Sequence, residues 1–537
     1  MKKIIFSLLT YSISVLSLAQ NFTSGGINYS ITSPTTVQVA SNTGFTGVAN
    51  IPSSVIYNSA SYSVTRINNG AFFSSPGLTS LTIPNTVTDI GINAFINCTG
   101  LTTVSIPNSV TNIGTSAFDG CSGLTSVNLS SSITALSDYV FRACINLTSI
   151  TIPNSVLNIG KGSLQGCTNL STVVMPNFLA TIGIDSFKIC TNLTTINIPN
   201  TVSSIGSTAF GGCVGLTNIV IPNTVTTIGF SAFASCTGLT SVTLSNSLTQ
   251  LRDELFKSCT NLASINIPNS VTNIGSSTFE SCSNLTTVSM PSSLNTIGFR
   301  SFKSCPALAM INIPNSVTAI DAEAFFGCTS LTSLTIPNLL TSINNGTFYG
   351  CTGLINISIP NTVTAIQENA FRSCSGLTSI NIPNLVTNIG LSAFRDCTNL
   401  TSVIVDKTNP IVIQPSVFQN VPYATATLYV PASSIATYEA APVWTNFNTI
   451  ASINLVNESF SKTKINIYPN PATSTLNIKL SDNTEINKIT ITDLSGKKIL
   501  EQVGSAAAVN IESLANGMYV LEVFANGNKM VNKFVKN

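Results

Sequence analysis

One interval governs this chain. Its 14 cysteines stand at 98, 121, 144, 167, 190, 213, 236, 259, 282, 305, 328, 351, 374 and 397, each 23 residues after the last. A phenylalanine sits three residues before each of them, from Phe95 and Phe118 to Phe394, with Leu164 as the one exception. Upstream, Phe72 keeps the register while Ser75 takes the cysteine position. A unit this small cannot bury its own apolar face, so a period held over this length predicts stacked copies that bury one another. A chain of 537 residues is also too long for one ordinary core.

The unit reads "CTGLTTVSIPNSVTNIGTSAFDG", Cys98 to Gly120. Leu101, Val104 and Ile106 match the L-x-x-L-x-L core of a leucine-rich repeat. Val104 and Ile106 alternate with Thr103 and Ser105, as in a short half-buried strand. Pro107 and Asn108 stop that strand, because proline cannot donate to a ladder and asparagine suits turns. Val110 and Ile113 begin the return path, Gly114 allows a backbone turn, and Phe118 fills the wide end of the coil. The expectation is a β-rich solenoid of 23-residue coils with parallel strands. At about 4.8 Å per coil, fourteen coils make a rod roughly 70 Å long.

The N-terminus, "MKKIIFSLLTYSISVLSLAQN", has two lysines, a short apolar run and small residues at Ser17 and Ala19. That pattern predicts a secretory signal peptide over 1–19. Export permits disulfides. Yet equivalent cysteines of stacked coils repeat at the strand spacing, wider than the ~3.8 Å between Cβ atoms of a disulfide. A single file of thiols does not converge on a metal either. The cysteines are therefore expected to be reduced, buried and inert.

Composition removes several functions. There is no histidine, which excludes His-dependent triads and His-containing metal sites. Only 8% of residues are charged and the net charge is +2, so nothing draws the chain to nucleic acid or anionic membrane. No phosphate-cradling loop, nucleophile elbow, Cys-x-x-Cys or metalloprotease motif occurs. No catalytic residue, cofactor or metal ligand is assigned. No later stretch has the ~20 apolar residues of a membrane helix.

A longer period overlies the short one. "LSSSITALSDYVFRAC" (129–144) is echoed by "LSNSLTQLRDELFKSC" (244–259), and "MPNFLATIGIDSFKIC" (175–190) by "MPSSLNTIGFRSFKSC" (290–305). Both offsets equal five units, which predicts a duplicated five-coil block. The coils that open with "LSS" or "LSN" lack both the strand-ending Pro and the turn Gly.

Two columns flank the buried strand residue and face outward. They include Thr103 and Ser105, Ser126 and Asn128, Ser149 and Thr151, Thr195 and Asn197, Ser241 and Thr243, and Ser264 and Asn266. Neither column carries a charge or an aromatic ring. They offer many weak hydrogen bonds, each worth about 1 kcal/mol or less. Two readings stay open: a ligand face for a long or repeated ligand, or a coat that keeps a strand surface soluble. The column after the phenylalanine holds Arg142, Lys188, Lys257, Lys303, Arg372 and Arg395, against Asp119 and Glu280. It is either a basic stripe for anionic glycans or lipopolysaccharide, or an ordinary solvated edge.

The recurring "PNSVTNIGTSAFDGC" motif resembles BspA-type leucine-rich repeats, which occur on bacterial surface proteins. The resemblance covers about residues 50 to 450. It implies an N-terminal cap and opening coil over 20–70, repeats over 71–404 and a C-terminal cap over 405–452, with Trp444 and Phe447 as its plug. After a polar linker (453–464), alternating strands in "INIYPNPATSTLNIKL" and "KITITDLSGKKIL" predict a small immunoglobulin-like β-sandwich over 465–537. Tyr468-Pro469-Asn470-Pro471, Asp493-Leu494-Ser495-Gly496-Lys497 and Asn516-Gly517-Met518-Tyr519 resemble the type A C-terminal sorting domain of the type IX secretion system of Bacteroidetes. That resemblance implies handling by the type IX machinery and a place outside the cell or on the outer membrane's outer surface. The expected function is non-enzymatic binding or adhesion, with host matrix proteins, other cells or polysaccharides as partners. The alternatives are a passive spacer of the envelope or biofilm and a carbohydrate-binding accessory protein.

Overall fold

A computed structural model describes residues 20–453, 465–480, 485–493, 497–504, 508–525 and 528–537, the side chains of 528–530 excepted. The expected signal peptide and all but the first residue of the expected linker lie outside the described residues, as do Leu494, Ser495 and Gly496. The chain divides into two units between Ala451 and Ser452.

The first unit is the solenoid that the spacing predicts. Thr103–Ser105 pairs in parallel with Ser126–Asn128, with Thr103 opposite Ser126, so neighbouring coils meet 23 residues apart. The return path is more regular than the sequence suggests. It carries a second parallel ladder of two-residue strands, such as Asp89–Ile90 and Asn112–Ile113. Around the phenylalanines, backbone bonds again step from coil to coil, as in Phe95 N to Ala117 O at 2.7 Å. Every side of the coil is thus hydrogen-bonded to its neighbour, which satisfies backbone groups that the core would otherwise strand.

The first ladder is interrupted in a regular way. Thr103–Ser105 pairs with Ser126–Asn128, and Ser149–Thr151 with Thr172–Val174. Five coils later, Asn218–Val220 pairs with Ser241–Thr243, and Ser264–Asn266 with Thr287–Ser289. The pairing therefore repeats with the duplicated block. The two proline-free coils also match. Ser130 is fully buried and donates to Val110 O at 2.6 Å; Ser245 donates to Val225 O at 2.7 Å. Each serine hydroxyl replaces a proline ring with an inward hydrogen bond.

Gly114 has a different role from the one expected. Its φ is not positive; instead a Cβ there would lie 2.5 Å from Ile92 N, so the backbones of adjacent coils touch. The left-handed residues bracket the phenylalanine. Ser231 (φ 53°) and Ser235 (φ 59°) flank Phe233, and the equivalents recur along the stack.

Phenylalanine and cysteine fill the core in two files. The rings from Phe72 to Phe141 and from Phe187 to Phe418 stack nearly parallel, with centroids between 5.0 Å and 5.8 Å. Leu164 interrupts the file. Edge-on rings close both ends: Phe45 against Phe72, and Trp444 and Phe447 against Phe418. Trp444 is fully buried, and its Nε1 donates to Ile411 O at 2.8 Å.

All 14 cysteines are free and buried. Each thiol donates to the carbonyl of the residue three before the preceding cysteine position. Cys98 Sγ lies 3.1 Å from Phe72 O, Cys236 Sγ 3.1 Å from Phe210 O and Cys397 Sγ 3.2 Å from Phe371 O. Burial pushes the thiols up, Cys98 to about 11 and Cys167 to about 12. Ser75 departs from the file for a local reason. It accepts from Phe45 N at 3.0 Å while donating to Asn42 O at 3.2 Å, and a thiol is a poor acceptor.

The second unit holds two antiparallel sheets. Ile465–Tyr468, Thr475–Leu480 and Ala508–Asn510 form one; Lys488–Thr492, Lys498–Val503, Gly517–Ala525 and Asn528–Lys536 form the other. Leu476, Ile478, Ile489, Ile491, Leu521, Val523 and Phe534 make its own core. This is a small β-sandwich, as the alternation predicts. Among the described residues no helix is long and apolar enough to cross a membrane.

Candidate functional site

The first ladder brings the outward columns into line. Ser126 stands opposite Thr103, Asn128 opposite Ser105, Thr172 opposite Ser149 and Thr287 opposite Ser264. Thr103, Ser105, Ser126, Asn128, Ser149, Thr151, Ser241, Thr243, Ser264 and Asn266 are all exposed. Thr195 and Asn197 are exposed too, although their segment is not a regular strand. None of these twelve side chains forms a hydrogen bond within the described protein.

The neighbouring hydroxyls behave differently. Thr125 Oγ1 donates to Thr102 O at 3.1 Å, Thr240 to Thr217 O at 3.0 Å and Thr401 to Thr378 O at 3.2 Å. Those threonines tie coil to coil. The abundant Ser, Thr and Asn thus split into residues that hold the stack and residues left open to solvent. Sequence alone does not separate them, because they sit side by side.

The face is not flat throughout. A cavity of about 790 Å³ opens at the ends of the first strands. Leu81, Ile83, Ile106 and Leu129 line it together with Asn85, Ser105, Asn108 and Asn128. Ser105 and Asn128 were legible as outward residues; the cavity was not, because it arises at a break in the proline row.

The basic column is a chain of ion pairs. Arg142 Nε and Nη2 contact both Asp119 carboxylate oxygens, at 3.0 Å and 2.5 Å. Lys188 pairs with Asp185 at 3.2 Å, and Lys257 with Glu254 at 3.0 Å and Glu280 at 3.4 Å. Lys303 and Arg300 share Glu323, each at 2.8 Å. Arg372 and Arg395 lie 3.8 Å and 3.5 Å from the one carboxylate of Asp396. The hydrogen bond from Lys257 holds Glu254 below the usual carboxylate range, and that from Arg300 does the same for Glu323. Asp119 and Glu280 belong to the basic column itself, whereas Asp185, Glu254 and Glu323 stand two residues before the phenylalanine and Asp396 two after it, so these partners are not legible from the column alone.

Aromatic rings also reach this edge. Phe326 and Tyr349 stack at 4.5 Å, with Lys303 over the first and Arg372 over the second. Phe230 and Phe299 lie beneath Arg252 and Arg300. They follow the turn position, and a column count there would have found them.

The molecule is therefore a stack of leucine-rich coils, capped at both ends by aromatic rings, with a separate two-sheet tail. The chain belongs to the BspA-type leucine-rich-repeat proteins. The family model described as "BspA type Leucine rich repeat region (6 copies)" matches residues 19–133, 88–217, 203–332 and 295–426. A second model, "Secretion system C-terminal sorting domain", matches residues 466–537. It is a type IX sorting tail, which implies secretion, surface attachment and handling by the type IX machinery. No curated protein matches. Among solved structures, a leucine rich cell surface protein from Faecalibacterium prausnitzii is 29% identical, with TM-score 0.44, over 63% of this chain and 94% of that one. A leucine-rich repeat protein from Bacteroides ovatus is 27% identical, with TM-score 0.47, over 81% of this chain and 100% of that one.

Proposed function

We propose that this protein is a non-enzymatic binding or adhesion protein, held outside the cell, whose ligand lies along the exposed face of the first ladder. One observation carries this reading. Ten outward side chains stand in coil-to-coil register with no side-chain partner among the described residues, while neighbouring threonines such as Thr125 and Thr240 are engaged in the stack. Hydrogen-bonding groups at a strand-to-strand repeat suit a long or repeated ligand, because each bond is weak and only the sum holds. Host matrix proteins, other cells and polysaccharides are partners of that kind. The paired basic edge favours this face over the edge as the binding surface.

The test is an array of matrix proteins, glycans and whole cells probed with the purified protein and with a Thr103→Glu/Ser126→Glu/Ser149→Glu variant. Saturable binding that the variant loses supports the reading. A protein that binds nothing, and alters only surface cohesion when deleted, is a spacer, and the proposal is then wrong.

A further inference from the structure

We infer that the cavity at the start of the ladder is a binding site for a neutral, polyhydroxylated chain, an uncharged oligosaccharide. The inference rests on the reading above and narrows it to one place and one ligand class.

Its volume of about 790 Å³ lies within the range of ligand pockets. No charged side chain lines it. A charged ligand would lose its hydration there without gaining a partner. The polar residues around it offer both donors and acceptors: the side chains of Asn85, Ser105 and Asn128 have no partner in the protein. Asn108 spends its Oδ1 on Ser131 N at 2.9 Å, which fixes the side chain and leaves its amide hydrogens unspent. Most of the apolar lining offers little surface to an inserted side chain: Leu81 and Ile83 are 8% exposed and Ile106 is 3% exposed, and only Leu129 is partly exposed. A peptide needs such an anchor for most of its affinity. A chain of hydroxyls needs a rim of amides and hydroxyls, and that is what the cavity supplies.

The shape has a local cause. Pro84 and Pro107 end successive strands, and Ser130, one coil on, turns inward and is fully buried. The cavity opens beside this step in the proline row.

The duplicated block supplies an internal comparison. Ile198, Asn200, Ile221, Pro222, Asn223 and Leu244 repeat the cavity residues five coils later, and Asn246 N again donates to Asn223 Oδ1, at 2.8 Å. There, however, Val220 replaces Ser105 and Thr243 replaces Asn128. Val220 is an exposed apolar side chain in the position of a hydroxyl. The second copy keeps the framework, with Asn200 and Asn223, but loses the hydroxyl of Ser105 and the amide of Asn128.

The test transplants that lining. Wild-type protein and a Ser105→Val/Asn128→Thr variant are titrated with hexasaccharides of β-glucan, xylan and mannan, with polygalacturonate, and with matrix-derived peptides. The substituted residues already occur in the same register of the same stack, and an unchanged melting temperature checks that the fold is kept. The expected result is saturable binding of a neutral hexasaccharide, weakened about ten-fold or more in the variant through the loss of one or two hydrogen bonds. No binding of any neutral hexasaccharide overturns the inference. So does equal binding by the two proteins, or binding of peptide or polygalacturonate alone. Retained adhesion to cells by the variant, with no effect of neutral glycans, overturns this site and leaves the broader function standing.

Discussion

At the scale of single residues, the cysteine file shows how little a conspicuous side chain need do chemically. Each thiol is buried and donates to a backbone carbonyl one coil back. Burial holds the thiols well above their usual range, so native protein exposes almost no thiolate. Alkylation at pH 8 is therefore expected to label essentially no cysteine before unfolding and all fourteen after it. Mass spectrometry counts the difference, and rapid labelling of folded protein would contradict the packing. A second prediction concerns Ile189, a β-branched residue at φ 61°. Gly166 and Gly212 hold the same position in the coils on either side. Ile189→Gly is expected to stabilise the protein by about 1 kcal/mol, seen as a higher melting temperature, because the left-handed backbone penalises a Cβ. The role of cysteine as a buried small residue was legible from the period. Its hydrogen bond was not, because the acceptor is a backbone atom on another coil.

At the scale of the coil, the sequence displayed one strand clearly and the other poorly. Val104 and Ile106 alternate over a run long enough to read, whereas Asn112–Ile113 is two residues with one buried side chain. A two-residue strand leaves almost no period-2 signal; it exists because the next coil supplies its partner. The ion pairs were hidden similarly: Asp119 meets Arg142 only when the chain has gone once round. The caps follow the same nearest-neighbour logic. Trp444→Ala removes the ring that closes the phenylalanine file, at a cost of about 3–5 kcal/mol. Hydrogen exchange should then quicken first at Thr427–Val430 and Ser402–Val405, next to the cap, and leave the central coils protected. Uniform loss of protection along the stack would refute nearest-neighbour coupling.

At the scale of the whole molecule, the thiol file gives the protein an unusual pH response. Burial raises the folded thiols, so their contribution is complete below the unfolded value of about 8.5 and is lost as pH climbs from there toward the folded values. Each thiol then costs about 1.4 kcal/mol for every pH unit in that interval, and the costs recur coil after coil along the file. Melts in reductant should be flat from about pH 6 to 8 and collapse by about pH 10, with unfolding spread along the stack. A protein as stable at pH 10 as at pH 7 would show that the thiols are not buried. Acid acts in the other direction and more gently. Glu254 and Glu323, lowered by their cationic partners, lose their stabilising pairing as pH falls through their folded values, but both are partly open to solvent, which weakens the effect. The tail has its own assay. Removing residues 465–537 is expected to leave the solenoid in the periplasm, read by cell fractionation; normal surface display would refute a sorting role for the matched domain.

The interlocking of coils also bears on descent. Since each coil meets its neighbour through the same backbone bonds 23 residues apart, whole coils can be copied or removed without inventing a new contact. The repeated pairing of the five-coil block is a fossil of one such event. Recombination between copies is thus a ready source of length variants. Because the lining at Ser105 and Asn128 has diverged from its counterpart at Val220 and Thr243, duplicated coils are also raw material for new specificities on an unchanged framework.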